Sequence, residues 1–429
     1  MTNIQSWLDE HRVINASGTM TSLGASSVSP EVADAVRSSL SCFADMGALQ
    51  AFAGGWIARA TGSEAGCVTA SAAAGLAVSV AACITGLRRE LIESLPSVEG
   101  VSKNGVILQN GHAVDFGSSI RQMAALGGGR VVGIGSATSC EPGQLAAALT
   151  AETAAALYVV SHHTAQSGMI SFPDFVAISH AAGVPVIVDA ASEYDLRIFI
   201  EQGADLVLYS AHKFLGGPTA GIIAGRKDLV RACYVNQSIG IGRAMKVGKE
   251  GIIGVVAVLS RWISLDHRAV HAAEYRRLTT LRDAISALPG IQVSELADPT
   301  GNPITRLRVE FPSPALAARF AHALTQEKPP IIIRGHNIDN GFFEIDPCNL
   351  LTGDVQTIVA RFGRIARESD IPAARRDPEQ PGPRRSAYHP DGTPAVDRDQ
   401  VPWQFAQSGG GDPLFGWPDI HANSELTHE

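Results

Sequence analysis

Short apolar runs alternate with helix-like stretches between about residues 63 and 225 of the chain. The runs lie at 106–108, 131–134, 155–160, 184–188 and 206–209, and each is bounded by Gly, Asn, Asp or Ser. Runs of this length are typical of buried strands. Helical stretches at 143–150 and 173–182 separate some of them, and the second ends at Gly183, which suits the C′ position of a helix. The alternation predicts a mainly parallel sheet with helices on both faces.

The pattern changes after about residue 266. The predicted elements are a helix at 268–288, strands at 291–296 and 305–311, a helix at 314–324, strands at 331–334 and 342–345, and a last helix that begins at Asp354. Apolar residues of this last helix recur at helical spacing and give it one buried face; they are Val355, Ile358, Val359, Phe362 and Ile365. This part of the chain is therefore predicted to be a small α+β domain.

These patterns divide the chain into four segments. They are an N-terminal arm and helix (1–60), a large α/β domain (61–265), a small α+β domain (266–368) and a tail (369–429). The tail is predicted to be extended, because nine of the chain's 23 prolines fall between 371 and 429 and proline interrupts helices and central strands.

Composition narrows the classes of function. The chain has 429 residues, is 45% hydrophobic and carries a net charge of -8, which fits a globular protein with a large core and argues against a broad nucleic-acid surface. Its six cysteines show neither CxxC spacing nor a paired framework, so we expect no bound metal, no disulfides and a cytoplasmic location. We find no signal peptide and no apolar stretch of membrane-spanning length, and we expect no membrane contact.

An acid and a lysine follow two neighbouring strand-like runs. Asp189 ends the run Val-Ile-Val-Asp, and Lys213 comes just after the next run, before the turn Gly216-Gly217-Pro218. Pyridoxal 5′-phosphate (PLP) requires such a pair, since an acid keeps its pyridine nitrogen protonated and a lysine amine forms the Schiff base. Taken singly, a lysine after a strand is usually a surface charge, and an aspartate there is often a helix cap. The combination favours a PLP site.

The lysine motif resembles that of a known group of PLP enzymes. Ser210-Ala-His212-Lys213 is similar to the Ser-x-His-Lys signature of class V, fold-type I enzymes. The stretches 14–19, 62–75 and 240–250 extend the resemblance to the selenocysteine synthase-like group, and most closely to its D-glucosaminate-6-phosphate ammonia-lyase branch, over about residues 13–367. It implies a fold-type I PLP-dependent transferase architecture, in which a mostly parallel sheet with flanking helices is joined to a small C-terminal α+β domain. It also implies a homodimer or a higher homo-oligomer.

The resemblance further implies which residues bind the cofactor. Ser210 and His212 would reach its phosphate, and the turn Ser71-Ala72-Ala73 at the start of an Ala-rich helix would cradle that phosphate with backbone N–H groups. His112, after the run 106–108, stands where members of the group stack a ring on the pyridine, and it is our third catalytic candidate. The alternatives are close helix packing for the turn and a structural role for the histidine.

Three further residues are candidates for substrate contacts. Arg334 matches the small-domain arginine of the group and is suited to clamping a carboxylate, with a surface ion pair as the alternative. Arg243 lies in a run rich in glycine and lysine that fits a phosphate or a carboxylate, or else a solvated charged turn. His163 or its neighbour His162 would contact the substrate from the loop after 155–160; we expect no metal there, because adjacent residues rarely bind one ion.

The resemblance favours an α,β-eliminating lyase that releases ammonia and a 2-keto acid from a small polar amino acid or an amino sugar acid. An aminotransferase, racemase, aldolase or Cβ-substituting transferase would use the same Lys213 and Asp189, and a non-catalytic PLP-binding protein also stays open. A dinucleotide-binding dehydrogenase is disfavoured, because Gly133-Ile-Gly135 lacks the third glycine of that motif. We expect no tRNA substrate, since the resemblance begins at residue 14 without the N-terminal tRNA-binding domain of bacterial selenocysteine synthase.

Overall fold

A computed structural model of the protein describes residues 3–369, which form two compact units. The large unit comprises residues 24–265 and 299–302, and the small unit comprises residues 3–23, 266–298 and 303–369. The proline-rich tail predicted for 369–429 lies outside the described residues except for Ser369. The four segments drawn from the sequence stay a prediction.

Strands and helices are numbered along the chain. The strands are β1 (Ile14–Ala16), β2 (Ala65–Thr69), β3 (Gly105–Gln109), β4 (Arg130–Ile134), β5 (Thr153–Val159), β6 (Val186–Asp189), β7 (Leu206–Ser210), β8 (Gly221–Gly225), β9 (Gln292–Ala297), β10 (Thr305–Glu310), β11 (Ile331–Ile333) and β12 (Phe342–Ile345). The helices are α1 (Ile4–Glu10), α2 (Pro30–Leu40), α3 (Met46–Thr61), α4 (Ala72–Thr85), α5 (Arg89–Ser94), α6 (Ile120–Leu126), α7 (Pro142–Ala148), α8 (Phe172–Ala181), α9 (Ile198–Glu201), α10 (Lys227–Ser238), α11 (Lys249–Ser264), α12 (His267–Ser286), α13 (Pro314–Thr325) and α14 (Asp354–Glu368). Short 3₁₀ helices occupy Thr21–Leu23, Asn110–His112, Gly240–Met245 and Ile338–Asn340.

A seven-stranded sheet runs through the large unit in the order β2-β8-β7-β6-β5-β3-β4. Strands β3 to β7 pair in parallel, and β8 is antiparallel to both of its neighbours, β2 and β7. Strands β6 and β7 are buried along their whole length and consist mostly of Val, Ile and Leu, as expected of a sheet covered on both faces. The five strands predicted from the apolar runs are confirmed as β3 to β7, and the mainly parallel α/β class is confirmed.

The strand order reverses between β3 and β5. The chain passes from β3 outward to β4, returns across β3 to β5, and then continues in the other direction through β6 and β7. Such a reversal leaves a crevice at the carboxyl ends of the two strands, and ligands of open α/β sheets bind in that crevice. The topology therefore predicts a ligand site beside the ends of β3 and β5.

The apolar pattern does not predict two strands of this sheet, β2 and β8. Their sequences, Ala-Gly-Cys-Val-Thr and Gly-Ile-Ile-Ala-Gly, contain glycine, which has low β propensity. Close packing requires these glycines: a Cβ on Gly66 would collide with the side chain of Ile57, and one on Gly221 would collide with the carbonyl oxygen of Ser71. Gly221 therefore lets β8 lie against the start of α4.

The small unit contains two sheets. β1 pairs in parallel with β11, and β12, β10 and β9 form an antiparallel sheet in that order. Phe311, Phe320, Phe343 and Phe362 pack together in its core, with ring centroids between 5.0 and 6.4 Å apart. The predicted α+β character is found here. The pairing of the N-terminal β1 with β11 is not visible in the apolar pattern, because the two strands are short and distant in the chain.

Two further features concern the helices and the cysteines of the described residues. No helix in the described part of the chain is both long and apolar enough to cross a membrane. The six cysteines all fall within residues 3–369, and each is a free thiol.

Candidate active site

Four of the predicted site residues lie at the carboxyl edge of the large sheet. His112 follows β3 in a 3₁₀ turn, Asp189 ends β6, Ser210 ends β7, and Lys213 comes shortly after it. The Val160 N–H donates to the carbonyl oxygen of Asp189 over 2.9 Å and ties the end of β5 to the end of β6. The fold thus brings together residues that are far apart in the sequence.

Lys213 is held by a serine that follows Asp189. Its side chain is partly buried, and its Nζ atom lies 2.5 Å from the hydroxyl oxygen of Ser192. Burial lowers the pKa of Lys213, because the ammonium loses its water, whereas the carboxylates of Asp189 and Glu193 act to raise it. A lowered pKa leaves more of the lysine as the neutral amine, which is the nucleophilic and basic form.

Asp189 is buried, and the Ala191 N–H donates to its Oδ1 atom over 3.2 Å. Burial raises the pKa of Asp189, while the charge of Lys213 and the hydrogen bond from Ala191 act to lower it. A buried carboxylate is stabilised by a cation that shares its surroundings. A protonated pyridine nitrogen is such a cation, so Asp189 fits the part of PLP that the sequence predicts for it.

His112 is an uncharged ring in this structure. It is 3% exposed, and its Nδ1 atom accepts a hydrogen bond from the Val159 N–H over 3.3 Å, so the neutral ring carries its proton on Nε2. Its ring meets the edge of Tyr158 with centroids 4.6 Å apart. Burial lowers the pKa of His112 to about 4. At neutral pH His112 can therefore stack on a ligand or donate from Nε2, but it has no additional proton to give as an acid.

The first turn of α4 presents backbone donors. The Ser71 hydroxyl accepts from the Ala74 N–H over 3.1 Å, and the Ser71 carbonyl accepts from the Gly75 N–H over 2.9 Å, so both groups cap the helix. The N–H groups of Ala72 and Ala73 come before these two and have no partner inside the helix. Because a helix N-terminus favours an anion, this turn fits a phosphate.

His212 gives a second observation that fits a phosphate. Its Nδ1 atom is buried and has no hydrogen-bond partner among residues 3–369. Buried polar atoms are nearly always paired, so this nitrogen indicates a group that completes its hydrogen bond. The carbonyl oxygen of His212 accepts from the Ser26 hydroxyl over 2.6 Å, which fixes the backbone next to Lys213. The residues present therefore fit PLP at its phosphate, its pyridine nitrogen and its aldehyde carbon.

The three substrate candidates lie in different surroundings. His163 is exposed in the loop after β5, where its ring contacts His162 with centroids 3.8 Å apart. Arg243 is exposed on a 3₁₀ helix of the large unit. Arg334 belongs to the small unit, is 7% exposed, and places its Nε atom 3.4 Å from the carboxylate of Glu344. The roles of these three residues stay predictions.

A cavity of about 250 Å³ lies beside His112, where the strand order reverses. Its walls include the side chains of Gln166, Ser167 and Thr300. Hydroxyl and amide groups of this kind suit a polar ligand. The Thr300 hydroxyl also donates to the carboxylate of Glu193 over 3.2 Å, which links this wall to the lysine region.

Sequence reasoning misses Ser192, Glu193 and Asn302. Ser192 ends the run Asp-Ala-Ala-Ser that begins at Asp189, and this closeness to the acid is the one signal that points to it. Asn302 contacts the carbonyl oxygen of Ser192 from 110 residues further along the chain, and no local pattern marks it. Only the folded chain shows that these residues meet.

The family model for L-seryl-tRNA selenium transferase, SelA, matches residues 13–298. The chain belongs to this family. D-glucosaminate-6-phosphate ammonia lyase from Salmonella typhimurium (strain 14028s / SGSC 2262) is 39% identical over 370 residues, which cover 86% of this chain and 99% of the relative. A solved structure of D-glucosaminate-6-phosphate ammonia-lyase matches with a TM-score of 0.77 and 38% identity, over 86% of this chain and 99% of that chain.

A further relative bears a different name. The 5′-C-glycyluridine monooxygenase-decarboxylase of a Streptomyces species is 38% identical over 359 residues, which cover 82% of this chain and 89% of the relative. Within this family the chain is a PLP-dependent enzyme with a fold-type I architecture, so the predictions of cofactor, enzyme and fold are confirmed, as is the resemblance to the selenocysteine synthase-like group.

Lys213 should carry the cofactor. Borohydride treatment of the purified holoenzyme should leave a pyridoxyl group on the peptide that contains Lys213, because reduction makes the attachment to the amine permanent. Mass spectrometry of a digest reads the position. Lys213→Ala should show no turnover, whereas Lys103→Ala, at an exposed lysine, should be labelled like the wild type. A label on any other lysine would reject the assignment.

Asp189 should keep the pyridine nitrogen protonated. Asp189→Asn removes that charge and should lower kcat by about 10²-fold, the usual cost of losing one preorganised electrostatic partner. Turnover is measured at matched PLP occupancy, read from absorbance. Asp34→Asn, an exposed aspartate on α2, is the control and should change neither quantity. Turnover near the wild-type value in Asp189→Asn would place the nitrogen's partner elsewhere.

Proposed function

We propose that this protein is a PLP-dependent lyase that performs α,β-elimination on a 2-amino-3-hydroxy acid with a polar side chain, such as an amino sugar acid. The products are ammonia and a 2-keto acid. The observation that carries the proposal is the environment of the Lys213 amine. It is hydrogen-bonded to Ser192 and interacts electrostatically with the buried carboxyl group of Asp189. The strong similarity of the chain to an ammonia lyase supports elimination as the reaction.

The names of the relatives support this substrate class. D-Glucosaminate, a seryl group and a 5′-C-glycyl nucleoside are different molecules, but each has an amino group on the carbon next to a carboxyl carbon. Each also has an oxygen on the following carbon. A β-oxygen is the leaving group that elimination requires. The hydroxyl and amide walls of the cavity beside His112 suit the polar remainder of such a substrate.

The residues that would hold PLP follow from the site. Ala72 and Ala73 would bind its phosphate through their N–H groups, and His212 would bind it through Nδ1, with Ser210 beside them. His112 would lie against the ring face. Asp189 would hold the proton of the pyridine nitrogen, and Lys213 would attach to the aldehyde carbon. When bound, PLP supplies an electron sink for the negative charge that develops on the substrate's α-carbon.

The protons are moved by the protein. The neutral amine of Lys213 takes the proton from the α-carbon, and burial favours this neutral form because it lowers the pKa of the lysine. The resulting ammonium returns a proton to the β-oxygen while the carbon–oxygen bond breaks and water leaves. The released enamine takes up water and loses ammonia, which yields the 2-keto acid. His112 stays neutral throughout, because its pKa is about 4.

We assign the substrate's carboxylate to Arg334. Glu344 contacts this arginine at Nε, and its two terminal nitrogens would bind the carboxylate as a bidentate ligand. Burial lowers the pKa of Arg334 and the neighbouring charge of Arg306 does the same, so a bound carboxylate would stabilise its charged form. His163 and Arg243 are our candidates for contacts with the polar side chain.

Oxidative decarboxylation is the second candidate reaction. The observation in its favour is the nearly equal similarity of the chain to the monooxygenase-decarboxylase. The two reactions differ in the carboxyl group, which elimination keeps and decarboxylation loses. Uptake of oxygen with release of carbon dioxide would identify the second candidate.

We also propose that the protein forms a homodimer or a higher homo-oligomer. Large apolar side chains are exposed around the end of α2 and the start of α3; Leu40, Phe43, Met46 and Phe52 are between 41% and 105% exposed. Exposed apolar groups in this number favour a protein interface. We propose that the protein also binds a small amino acid as its substrate, and that it binds neither nucleic acid nor a membrane. The six free thiols support a cytoplasmic location.

The correct substrate should release ammonia and a 2-keto acid in equal amounts without a second keto acid being supplied. D-Glucosaminate, its 6-phosphate, L-serine and D-serine form a suitable panel, with ammonia and 2-keto acid assayed in parallel. The cofactor should end as PLP, because elimination leaves no amino group on it. Stoichiometric conversion to pyridoxamine phosphate would identify an aminotransferase instead.

Arg334→Lys should raise KM and leave kcat nearly unchanged. A lysine supplies charge but not the two parallel hydrogen bonds of a guanidinium, so the loss in kcat/KM should be about 2 kcal/mol. Steady-state kinetics measures both constants. Arg319→Lys, an exposed arginine on α13 of the same unit, is the control and should change neither. An unchanged KM in Arg334→Lys would move the clamp to Arg243.

A further inference from the structure

A four-residue segment, Pro299–Asn302, belongs to the large unit although it connects strands β9 and β10 of the small unit along the chain. The side chain of Asn302 forms hydrogen bonds with residues of the large unit. Its Oδ1 atom accepts from the Tyr194 N–H over 2.8 Å, and its Nδ2 atom donates to the carbonyl oxygen of Ser192 over 3.4 Å and to the Thr300 hydroxyl over 3.0 Å. One amide side chain thus holds the backbone on both sides of Glu193.

The segment that Asn302 holds contains both groups that act on the lysine from this loop. The Ser192 hydroxyl lies 2.5 Å from Lys213 Nζ, and the charge of Glu193 acts on the same amine. Thr300 donates to Glu193 over 3.2 Å. The residues at 299–302 therefore help to hold this hydroxyl and this carboxylate in place.

The start of the loop is held separately. The Glu193 N–H donates to the Ala190 carbonyl over 3.0 Å, and the Ser210 N–H donates to the Ala191 carbonyl over 3.2 Å. Loss of the Asn302 side chain leaves these bonds in place. Its effect should therefore be confined to Ser192 and the residues that follow it, without disturbing Asp189.

We propose that Ser192 is a catalytic residue that passes a proton between Lys213 Nζ and the β-oxygen of the substrate, and that Asn302 is the positioning residue that holds Ser192 for this transfer. The relay rests on the elimination reaction proposed above, whereas the contact between Ser192 and Lys213 does not depend on which reaction the enzyme performs.

The chemistry suits a hydroxyl group. After Lys213 has taken the α-proton, its ammonium gives a proton to Ser192 Oγ, and the proton already on Oγ passes to the β-oxygen. The carbon–oxygen bond breaks with its electron pair on the oxygen, water leaves, and both Lys213 and Ser192 return to their starting forms. A hydroxyl can donate and accept at once, so it stays bonded to Nζ in either protonation state. His112 cannot take this part, because it is neutral and its Nδ1 is occupied by the Val159 N–H.

Proton transfer through the Ser192 hydroxyl requires that this group be held in a fixed position. Ser192 stands on a loop beyond the end of β6, and proton transfer requires heavy atoms within hydrogen-bond distance. Small misplacements of a catalytic group cost large factors in rate. The bonds from Asn302 supply the restraint that a strand would otherwise give.

The first test uses PLP-free protein and does not require turnover. Reductive methylation of Lys213 is followed by mass spectrometry as a function of pH, and the midpoint reports the protonation of the amine among Asp189, Glu193 and His212. Ser192→Ala should lower the midpoint by about one pH unit, because the ammonium loses a hydrogen-bond acceptor. Asn302→Ala should shift it the same way, and the double variant should go no further than Ser192→Ala.

Matched controls come from exposed residues of the same types. Ser102→Ala and Asn340→Ala should leave the midpoint where the wild type has it. Ser192→Thr, which keeps the hydroxyl, should restore it. An unchanged midpoint in Ser192→Ala, or additive shifts in the double variant, would overturn the positioning role of Asn302.

The second test separates the relay from a structural role. In D2O, with the panel compound that releases ammonia, Ser192→Ala should still exchange the α-proton within a few-fold of the wild-type rate, because Lys213 performs that step alone. Elimination should fall by about 10²-fold, the lower range for losing a general acid. Asn302→Ala should show the same split at smaller amplitude. Equal losses in exchange and elimination would overturn the relay.

The two tests distinguish an error in the proposed elimination reaction from an error in the proposed contact between Ser192 and Lys213. If no panel compound releases ammonia while the Lys213 midpoint still shifts in Ser192→Ala and Asn302→Ala, the relay is overturned and the positioning role stands.

Discussion

The site depends on the burial of two groups of opposite charge, Asp189 and Lys213, at one edge of the large sheet. Burial lowers the pKa of the Lys213 amine and raises that of the Asp189 carboxyl, so each residue is driven towards its neutral form while their attraction opposes this. A protonated pyridine beside Asp189 would replace the ammonium as its partner. Lys213 is then free to lose its proton. In the proposed mechanism, holding the cofactor and moving a proton thus depend on the same pair of residues.

The sheet places these two residues at one edge and brings the start of α4, our proposed phosphate site, to the same edge. Ser210, the last residue of β7, pairs with Gly221, the first residue of the antiparallel β8, and Gly221 pairs with Thr69 at the end of β2. The start of α4 therefore lies at the edge that carries Lys213, two strands away. The absence of a side chain on Gly221 permits this approach, since a Cβ there would meet the Ser71 carbonyl. A parallel sheet with one reversed strand thus brings a helix N-terminus and an amine to the same edge.

How much of this could be predicted from sequence depends on how local each signal is. Strands β3 to β7 are short apolar runs with polar ends; Asp189 ends one of them and Lys213 follows another closely, so the local pattern is sufficient. Strands β2 and β8 escape the pattern because their glycines serve packing between elements. Ser192 and Asn302 cannot be found from local patterns, because they are linked by a hydrogen bond between residues 110 positions apart in the sequence. The roles assigned to the predicted site residues stay predictions, although the fold places most of them at one edge.

The relatives show why the cofactor residues alone do not determine the reaction. Proteins named as an ammonia lyase and as a monooxygenase-decarboxylase are almost equally similar to this chain, and a lysine with an acid at the ring nitrogen serves either chemistry. In the mechanism proposed here, elimination requires that a proton reach the β-oxygen once negative charge has developed on the α-carbon. In this protein His112, our candidate for the ring contact, is neutral, whereas Lys213 is hydrogen-bonded to a hydroxyl that can both accept and donate. If the proposed relay operates, the choice between reactions depends on the loop after β6 and on the segment that holds it, rather than on the groups proposed to bind PLP.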